Sequence, residues 1–243
     1  MPQRLSGKLA LITGASRGIG EAVALAYARE GAQLILVARS VQDLERIDDQ
    51  IRNEGGLPPL LIPLDLRDYI KIDEMAGHLA TRYGKLDILV GNAGMLGELA
   101  PIHHTTPQNW HDVIGLNLNS NWHLLRALDP LLRQSDAGRV IMLTSSMAHI
   151  NQPYWGAYST SKLALEMMTK TYANEIKSIT NMKVNLIDPG ATDTALLRKA
   201  LPGQDMAKYA KPSQITEAFV ALASTECTFQ GQIIKAQEFE KAA

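Results

Sequence analysis

Seven short runs of nearly continuous apolar residues recur along the chain: KLALIT (8–13), QLILVA (33–38), LPPLLIPL (57–64), KLDILVG (85–91), RVIMLTS (139–145), MKVNLID (182–188) and GQIIKA (231–236). They do not alternate apolar with polar, which is how strands buried on both faces of a parallel sheet read. Amphipathic stretches lie between them. IGEAVALAYAREG ends at Gly31, and SVQDLERIDDQIRNEGG opens on Ser40 and ends at Gly55. These are a hydroxyl to cap the first amides and glycines for the left-handed exit. Longer apolar-rich helical stretches run around residues 107–134 and 154–179. Strand and helix alternate throughout, which predicts an α/β doubly wound parallel sheet of about seven strands. No linker, repeat or low-complexity segment interrupts the alternation, so a single domain over residues 1–243 is expected. The least regular stretch, 189–212, sets two helical pieces between prolines and a Pro-Gly. It predicts a mobile substrate lid.

Composition narrows the partners. With 46% apolar residues, 20% charged residues and a net charge of -1, there is no basic excess to attract nucleic acid or an anionic membrane. A single cysteine, Cys227, excludes an intramolecular disulfide framework and a multi-cysteine zinc site. His103 and His104 are expected to point apart in a loop, with no nearby cysteine or carboxylate to complete a metal site. The N-terminal MPQRLSGKLALITGASRGIG carries too short an apolar run for a signal peptide or a membrane span. A soluble, cytoplasmic protein with no membrane and no metal is expected.

The first candidate chemistry follows the first strand. TGASRGIG (13–20) opens the first helix, and Gly14, Gly18 and Gly20 let the backbone turn sharply beneath a dinucleotide whose phosphates meet the helix N-terminus. The second strand ends in LILVARS, where an acidic residue would accept from the ribose 2′-hydroxyl of NAD. That acid is absent. Ala38 and Arg39 stand there, and Arg17 lies in the glycine loop, so two guanidinium groups could converge on the 2′-phosphate of NADP. On the residues alone, solvated surface charges remain the other reading.

YSTSK (158–162) places Tyr158 and Lys162 at i and i+4, on one face of a helix. Such a pair arises by chance in roughly one chain of this size in three, so spacing alone carries little. The company it keeps carries more. TGASRGIG, Asp65 in PLDL, NAG at 92–94, Asn117 in GLNLNS, Ser145 in LTSSMAH, YSTSK and DPGATDT at 188–194 follow one another in the order of the classical short-chain dehydrogenase/reductase family. The chain resembles that family over essentially its whole length.

The resemblance implies a Rossmann-type sheet, a nicotinamide cofactor and a catalytic tetrad of Asn117, Ser145, Tyr158 and Lys162. Ser145 rather than its neighbour Ser146 has spacings similar to the family's, thirteen residues before Tyr158 and twenty-eight after Asn117. The implied cofactor set is Gly14, Ser16, Arg17, Gly18, Ile19 and Gly20, then Ala38 and Arg39, with Asp65 and Leu66 near the adenine. Asn92, Ala93 and Gly94 fall near the adenosine ribose, and Tyr158 and Lys162 serve the cofactor as well. Pro189, Gly190, Thr192 and Thr194 complete the set, Thr194 near the nicotinamide carboxamide.

In the chemistry this implies, Tyr158 exchanges the proton and Ser145 orients the substrate oxygen. The Lys162 ammonium lowers the phenol's pKa, and Asn117 positions a water. His149, Ile150, Tyr154 and Trp155, with Met95 and Leu96, either line a mainly apolar substrate pocket or pack ordinarily. The C-terminal GQIIKAQEFEKAA departs from the family's Val-Asp-Gly-Gly style of ending. The expected function is an NADP(H)-dependent oxidoreductase interconverting a ketone and a secondary alcohol. A 3-oxoacyl thioester as substrate, and a homotetramer, rest on the resemblance. The competing class is an NADP(H)-binding sensor or scaffold without turnover.

Overall fold

A computed structural model describes residues 3–239; residues 1–2 and 240–243, the latter closing the atypical C-terminal segment, lie outside it. The seven strands are β1 (Leu9–Thr13), β2 (Gln33–Ala38), β3 (Leu60–Pro63), β4 (Ile88–Gly91), β5 (Arg139–Leu143), β6 (Lys183–Asp188) and β7 (Ile233–Lys235). They form one sheet in the order β3-β2-β1-β4-β5-β6-β7, parallel throughout. The expected doubly wound parallel sheet is therefore present. The strands are shorter than the apolar runs that announced them, for local reasons. Pro58 and Pro59 lack the N–H that a ladder requires, so β3 begins at Leu60.

Helices fill the crossovers on both faces. They are α1 (Gly18–Arg29), α2 (Val41–Asn53), α3 (Tyr69–Tyr83), α4 (Pro107–Ile114), α5 (Ser120–Leu132), α6 (Gly156–Ile176), α7 (Ala195–Ala200) and α8 (Thr216–Ala223). The stretch read as one helix around 107–134 is broken by a π turn at Gly115–Asn119, an irregularity that apolar periodicity does not reveal. Along each strand successive side chains go to opposite sides. Ala10 and Ile12 of β1 join Leu34 and Leu36 of β2 under α1, α2 and α8, while Leu11, Ile35 and Val37 pack under α3, α5 and α6. Two cores thus sandwich the sheet and hold its strand ends in fixed register. Among the described residues, no helix is long and apolar enough to cross a membrane.

The N-terminal edge of the sheet is tied by a buried carboxylate. Asp87, 1% exposed, accepts from the Leu9 amide (2.9 Å), from Ser135 Oγ (2.6 Å) and from Lys85 Nζ (3.1 Å). It thereby joins the starts of β1 and β4 to the turn before β5. Burial pushes its carboxyl up, but the hydrogen bonds from Ser135, Leu9 and Lys85 outweigh that and hold it below the ordinary range.

The opposite edge is set by a close approach. A methyl group at Gly20 would stand 2.2 Å from the Gly14 carbonyl oxygen and 2.5 Å from Asn92 Nδ2, so α1 packs against the strand end only because that position has no side chain.

Two predictions follow from the two edges. Asp87→Ala strands the Leu9 amide and the Ser135 hydroxyl and should cost about 2–3 kcal/mol in denaturant unfolding. Because the folded pKa of Asp87 lies below its unfolded value near 3.9, its contribution is present above that pH and is lost as pH falls through the folded value. The wild type should therefore lose its margin over the variant on acidification below about pH 4. Gly20→Ala should lower thermal stability, by about 3 kcal/mol or more for an overpacked rigid site, and calorimetry of the unliganded protein measures it.

Candidate active site

The C-terminal ends of β1 and β4 lie side by side where the chain's crossovers diverge to opposite halves of the sheet, the place where open α/β sheets bind ligands. Thr13, fully buried, organises this point. Its Oγ1 donates to the Val90 carbonyl at 3.2 Å and accepts from the Asn92 and Ala93 amides, each at 3.0 Å. Asn92 Nδ2 returns bonds to the carbonyls of Thr13 (2.8 Å) and Gly14 (3.2 Å). The glycine loop and the Asn92–Gly94 segment are thus one bonded unit.

The loop itself suits an anion. Gly14 and Gly18 take φ of 62° and 61°, left-handed conformations that favour glycine. Helices α2, α3, α4 and α7 are capped by the side chains of Ser40, Asp68, Thr106 and Thr194, but α1 begins at Arg17 with no side-chain cap. Its first amides keep their donors for a ligand. Arg17 and Arg39 are exposed beside this helix start, and among the described residues neither makes a side-chain hydrogen bond or ion pair. Asp65 is held below the ordinary carboxylate range by Arg67, which bonds it through Nη2 at 2.8 Å and reaches Asp112 at 2.6 Å. Loop, uncapped amides and unpaired guanidiniums together fit a phosphorylated dinucleotide.

A cleft of about 670 Å³ opens over these groups. Its walls include Gly14, Ser16, Arg17, Gly18, Ile19, Ala38, Arg39, Asp65, Leu66, Asn92, Ala93, Gly94, Tyr158, Lys162 and Thr194. Gly20 lies behind the wall, and Pro189, Gly190 and Thr192 form the turn that leads to Thr194. That turn has a partner the sequence did not disclose: Gln237 Nε2, in the atypical C-terminal segment, donates to the carbonyls of Pro189 (3.0 Å) and Ala191 (2.9 Å).

The residues expected to do chemistry converge from three elements. Tyr158 and Lys162 are on α6, buried at 7% and 3% exposure. Ser145 follows β5, partly buried, and caps a short 3₁₀ turn, Ser146–Ala148, through the Met147 amide. Its hydroxyl stands near enough to the Tyr158 phenol to favour the ionised form. Ser146 is exposed. Asn117 sits in the π turn and is fully buried. Its Oδ1 accepts from the Met95 amide (2.8 Å), and its Nδ2 donates to the Met95 carbonyl (2.9 Å) and to Ser161 Oγ (3.0 Å).

Asn117 is thus also a brace between the Gly94–Met95 segment and α6, and its own carbonyl accepts from Asn121 Nδ2 at 2.9 Å. Other expectations need correction. Burial outweighs any pull of the Lys162 ammonium on the phenol. The ammonium stands 5.9 Å from the Tyr158 ring centre and donates to the Leu143 carbonyl at 2.6 Å. Burial dominates both groups, pushing Tyr158 up to about 12 against the effect of Ser145, and Lys162 down to about 8 against the attraction of Glu166.

Of the expected pocket residues only Met95 and Leu96 line the cleft. Trp155 packs edge-on against Tyr158 at 5.8 Å, Ile150 and Tyr154 are exposed, and His149 turns to Glu166. Tyr154 takes φ 75°, a left-handed conformation uncommon for a residue other than glycine. His103 and His104 do not point apart either; their rings meet edge to face at 4.3 Å. Over Tyr158 lies an apolar cover of Leu96, Ala200, Met147, Trp155, Leu196 and Leu201, much of it from the 189–212 segment. Lys199 of that segment donates to the Gly97 carbonyl at 2.8 Å.

Comparison with known proteins bears on this geometry directly. The model of the short chain dehydrogenase family matches residues 8–205. YciK of Escherichia coli (strain K12), described as an uncharacterized oxidoreductase, is 37% identical over 220 residues, 90% of this chain and 86% of its own. The 3-oxoacyl-[acyl-carrier-protein] reductase FabG of Thermotoga maritima is 31% identical over 242 residues, 95% of this chain and 96% of its own. A crystal structure from Escherichia coli CFT073, complexed with NADPH, has a TM-score of 0.92 at 36% identity, covering 98% of this chain and 99% of that one. With likeness in sequence over 90% of the chain and in fold over 98% of it, the chain belongs to the short chain dehydrogenase family of oxidoreductases.

Proposed function

We propose that the protein is an NADP(H)-dependent oxidoreductase that interconverts a ketone and a secondary alcohol, with Tyr158 as the acid/base. One observation carries the reading: Tyr158 and Lys162, one helical turn apart on α6, line the same cleft that the glycine loop opens, and Ser145 stands close enough to the phenol to oppose its upward shift. When bound, the nicotinamide supplies or accepts the hydride. The chain's own residues do the rest. The α1 amides receive phosphate, and Arg17 and Arg39 recognise the 2′-phosphate by charge-assisted bonds. The NADPH held by the Escherichia coli CFT073 structure supports that preference.

Ser145 Oγ holds the substrate oxygen against Tyr158 Oη, which gives up its proton as negative charge develops there. With its pKa pushed up to about 12, the phenol keeps that proton at neutral pH, the state that carbonyl reduction requires. The apolar cover formed by Leu196, Leu201 and Trp155 excludes water from the transfer. An apolar wall suits an acyl chain, and the Thermotoga relative's name makes a 3-oxoacyl thioester a first substrate to test. A cytoplasmic homotetramer belongs to the same reading, supported by the exposed apolar side chains of Trp122 on α5 and of Leu163 and Met167 on α6. A sensor without turnover is the competing class, and NADPH oxidation over a carbonyl panel separates the two.

Tyr158→Phe should lower kcat by about 10²–10⁴-fold, the usual range for a lost general acid, with NADPH affinity within a few fold by titration. Ser145→Ala should impair turnover far more than Ser146→Ala; the reverse order would reassign the hydroxyl. Arg39→Ala should weaken NADPH about tenfold, the loss of one partly exposed charge-assisted bond, while Ala38→Asp should move the affinity ratio toward NADH by repelling the phosphate and accepting from the bare ribose. Fluorescence titration of both cofactors reads these ratios, and a wild type that prefers NADH would refute the assignment.

A further inference from the structure

Three consecutive residues at the end of β5 are each held by α6, and the holding residues are spaced by four. Ser145 meets Tyr158. The Leu143 carbonyl accepts from Lys162 Nζ at 2.6 Å. Between them, Thr144 Oγ1 donates to Glu166 Oε1 at 2.6 Å. The first two rungs belong to the machinery already described, and the third does not.

Glu166 is 2% exposed, and a carboxylate in such a place is costly unless charge or hydrogen bonds compensate it. Its other oxygen, Oε2, pairs with His149 Nε2 at 2.8 Å, and the His149 side chain is 57% exposed. Lys162, one turn earlier on α6, is enclosed and feels the attraction of Glu166. The titratable groups around the carboxylate are Tyr158 and Lys162 on α6 and His149 on the loop after β5, with Asp188 at the end of β6 acting on Tyr158. An apolar side chain at position 166 would fill the same space without stranding a charge. A carboxylate there does two things that an apolar group cannot. It fixes the residue beside Ser145 to the helix that carries Tyr158, and it supplies the negative charge nearest a buried ammonium.

We propose that Glu166 is a positioning residue for the reaction, tying Thr144 and thereby Ser145 to α6 with a carboxylate set one helical turn from Lys162. The inference rests on the reductase reading above. Removing the charge favours the neutral amine and the ionised phenol alike, so both changes move the alkaline limb of carbonyl reduction in one direction, to lower pH.

The test compares wild type, Glu166→Gln and Glu166→Asp. In E166Q the alkaline limb of NADPH-dependent reduction should move down by about one pH unit, the scale of a lost nearby charge, and kcat should fall more than the substrate KM rises. E166D keeps the charge but shortens the reach to Thr144, so its limb should stay in place while kcat falls. A second readout needs no turnover. In protein labelled with ¹³C at the lysine ε carbon, the signal assigned by its loss in Lys162→Met should titrate at lower pH in E166Q and near the wild-type pH in E166D. If a folded E166Q protein is merely less heat-stable, with limb and lysine midpoint both unchanged, the role of Glu166 is overturned and the reductase reading stands. If E166Q does not fold, a displaced limb or lysine midpoint in E166D overturns the proposal in its turn. A wild type that reduces no carbonyl overturns the reductase reading and this role together, whatever the lysine titration shows.

Discussion

The hydroxyl of Thr13, buried between β1 and β4, donates to one carbonyl and accepts from two amides, and these bonds fix the point at which the two halves of the sheet diverge. A buried hydroxyl offers one hydrogen and two lone pairs, and here all three are used. Because the Asn92 amide group simultaneously holds the carbonyls of Thr13 and Gly14, the glycine turn cannot shift without breaking β4's continuation as well. The absent side chain at Gly20 then lets α1 come down onto the turn, and its uncapped amides point where the cleft begins. The place, the shape and the positive end of the dinucleotide cradle all descend from one threonine at the end of one strand.

The other wall of the cleft is governed by burial. Tyr158 and Lys162 are withdrawn from water together, and the same desolvation displaces them in opposite directions, the acid upward and the ammonium downward. Their values separate, from 10.0 and 10.5 to about 12 and about 8, so the neutral phenol beside a neutral amine is favoured over the phenolate-ammonium pair more than it would be for exposed groups. Helix α6 is accordingly less a platform for two side chains than a low-dielectric medium whose burial, more than any interaction between the two, sets the protonation of each.

Much of this was legible in the sequence. The seven apolar runs located all seven strands, since strands buried on both faces need no alternation. Ser40 and the glycines at 31 and 55 punctuated α1 and α2, because caps are local chemistry. The glycine loop was likewise legible from its place after the first strand, and the pairing of Tyr158 with Lys162 from the order of motifs around it rather than from its spacing. What escaped depends on contacts distant in sequence or on magnitudes. Glu166 falls in the four-residue series begun by Tyr158 and Lys162, which was a usable signal, but a glutamate on a helix ordinarily faces solvent. The expected depression of the phenol pKa weighed a neighbouring charge without the desolvation that outweighs it. For Ile150 and Tyr154, proximity along the chain left pocket lining and ordinary packing equally open, and the structure leaves both side chains exposed.

The bonds from Gln237 to the turn after β6 join residues separated by 48 and 46 positions. The glycine loop, by contrast, is held by Asn92 and Thr13, which lie within the first hundred residues. Loss of the segment after β7 would therefore strip two bonds from the turn leading to Thr194 while leaving those of the glycine loop in place, so the two sides of the cleft depend on opposite ends of the chain.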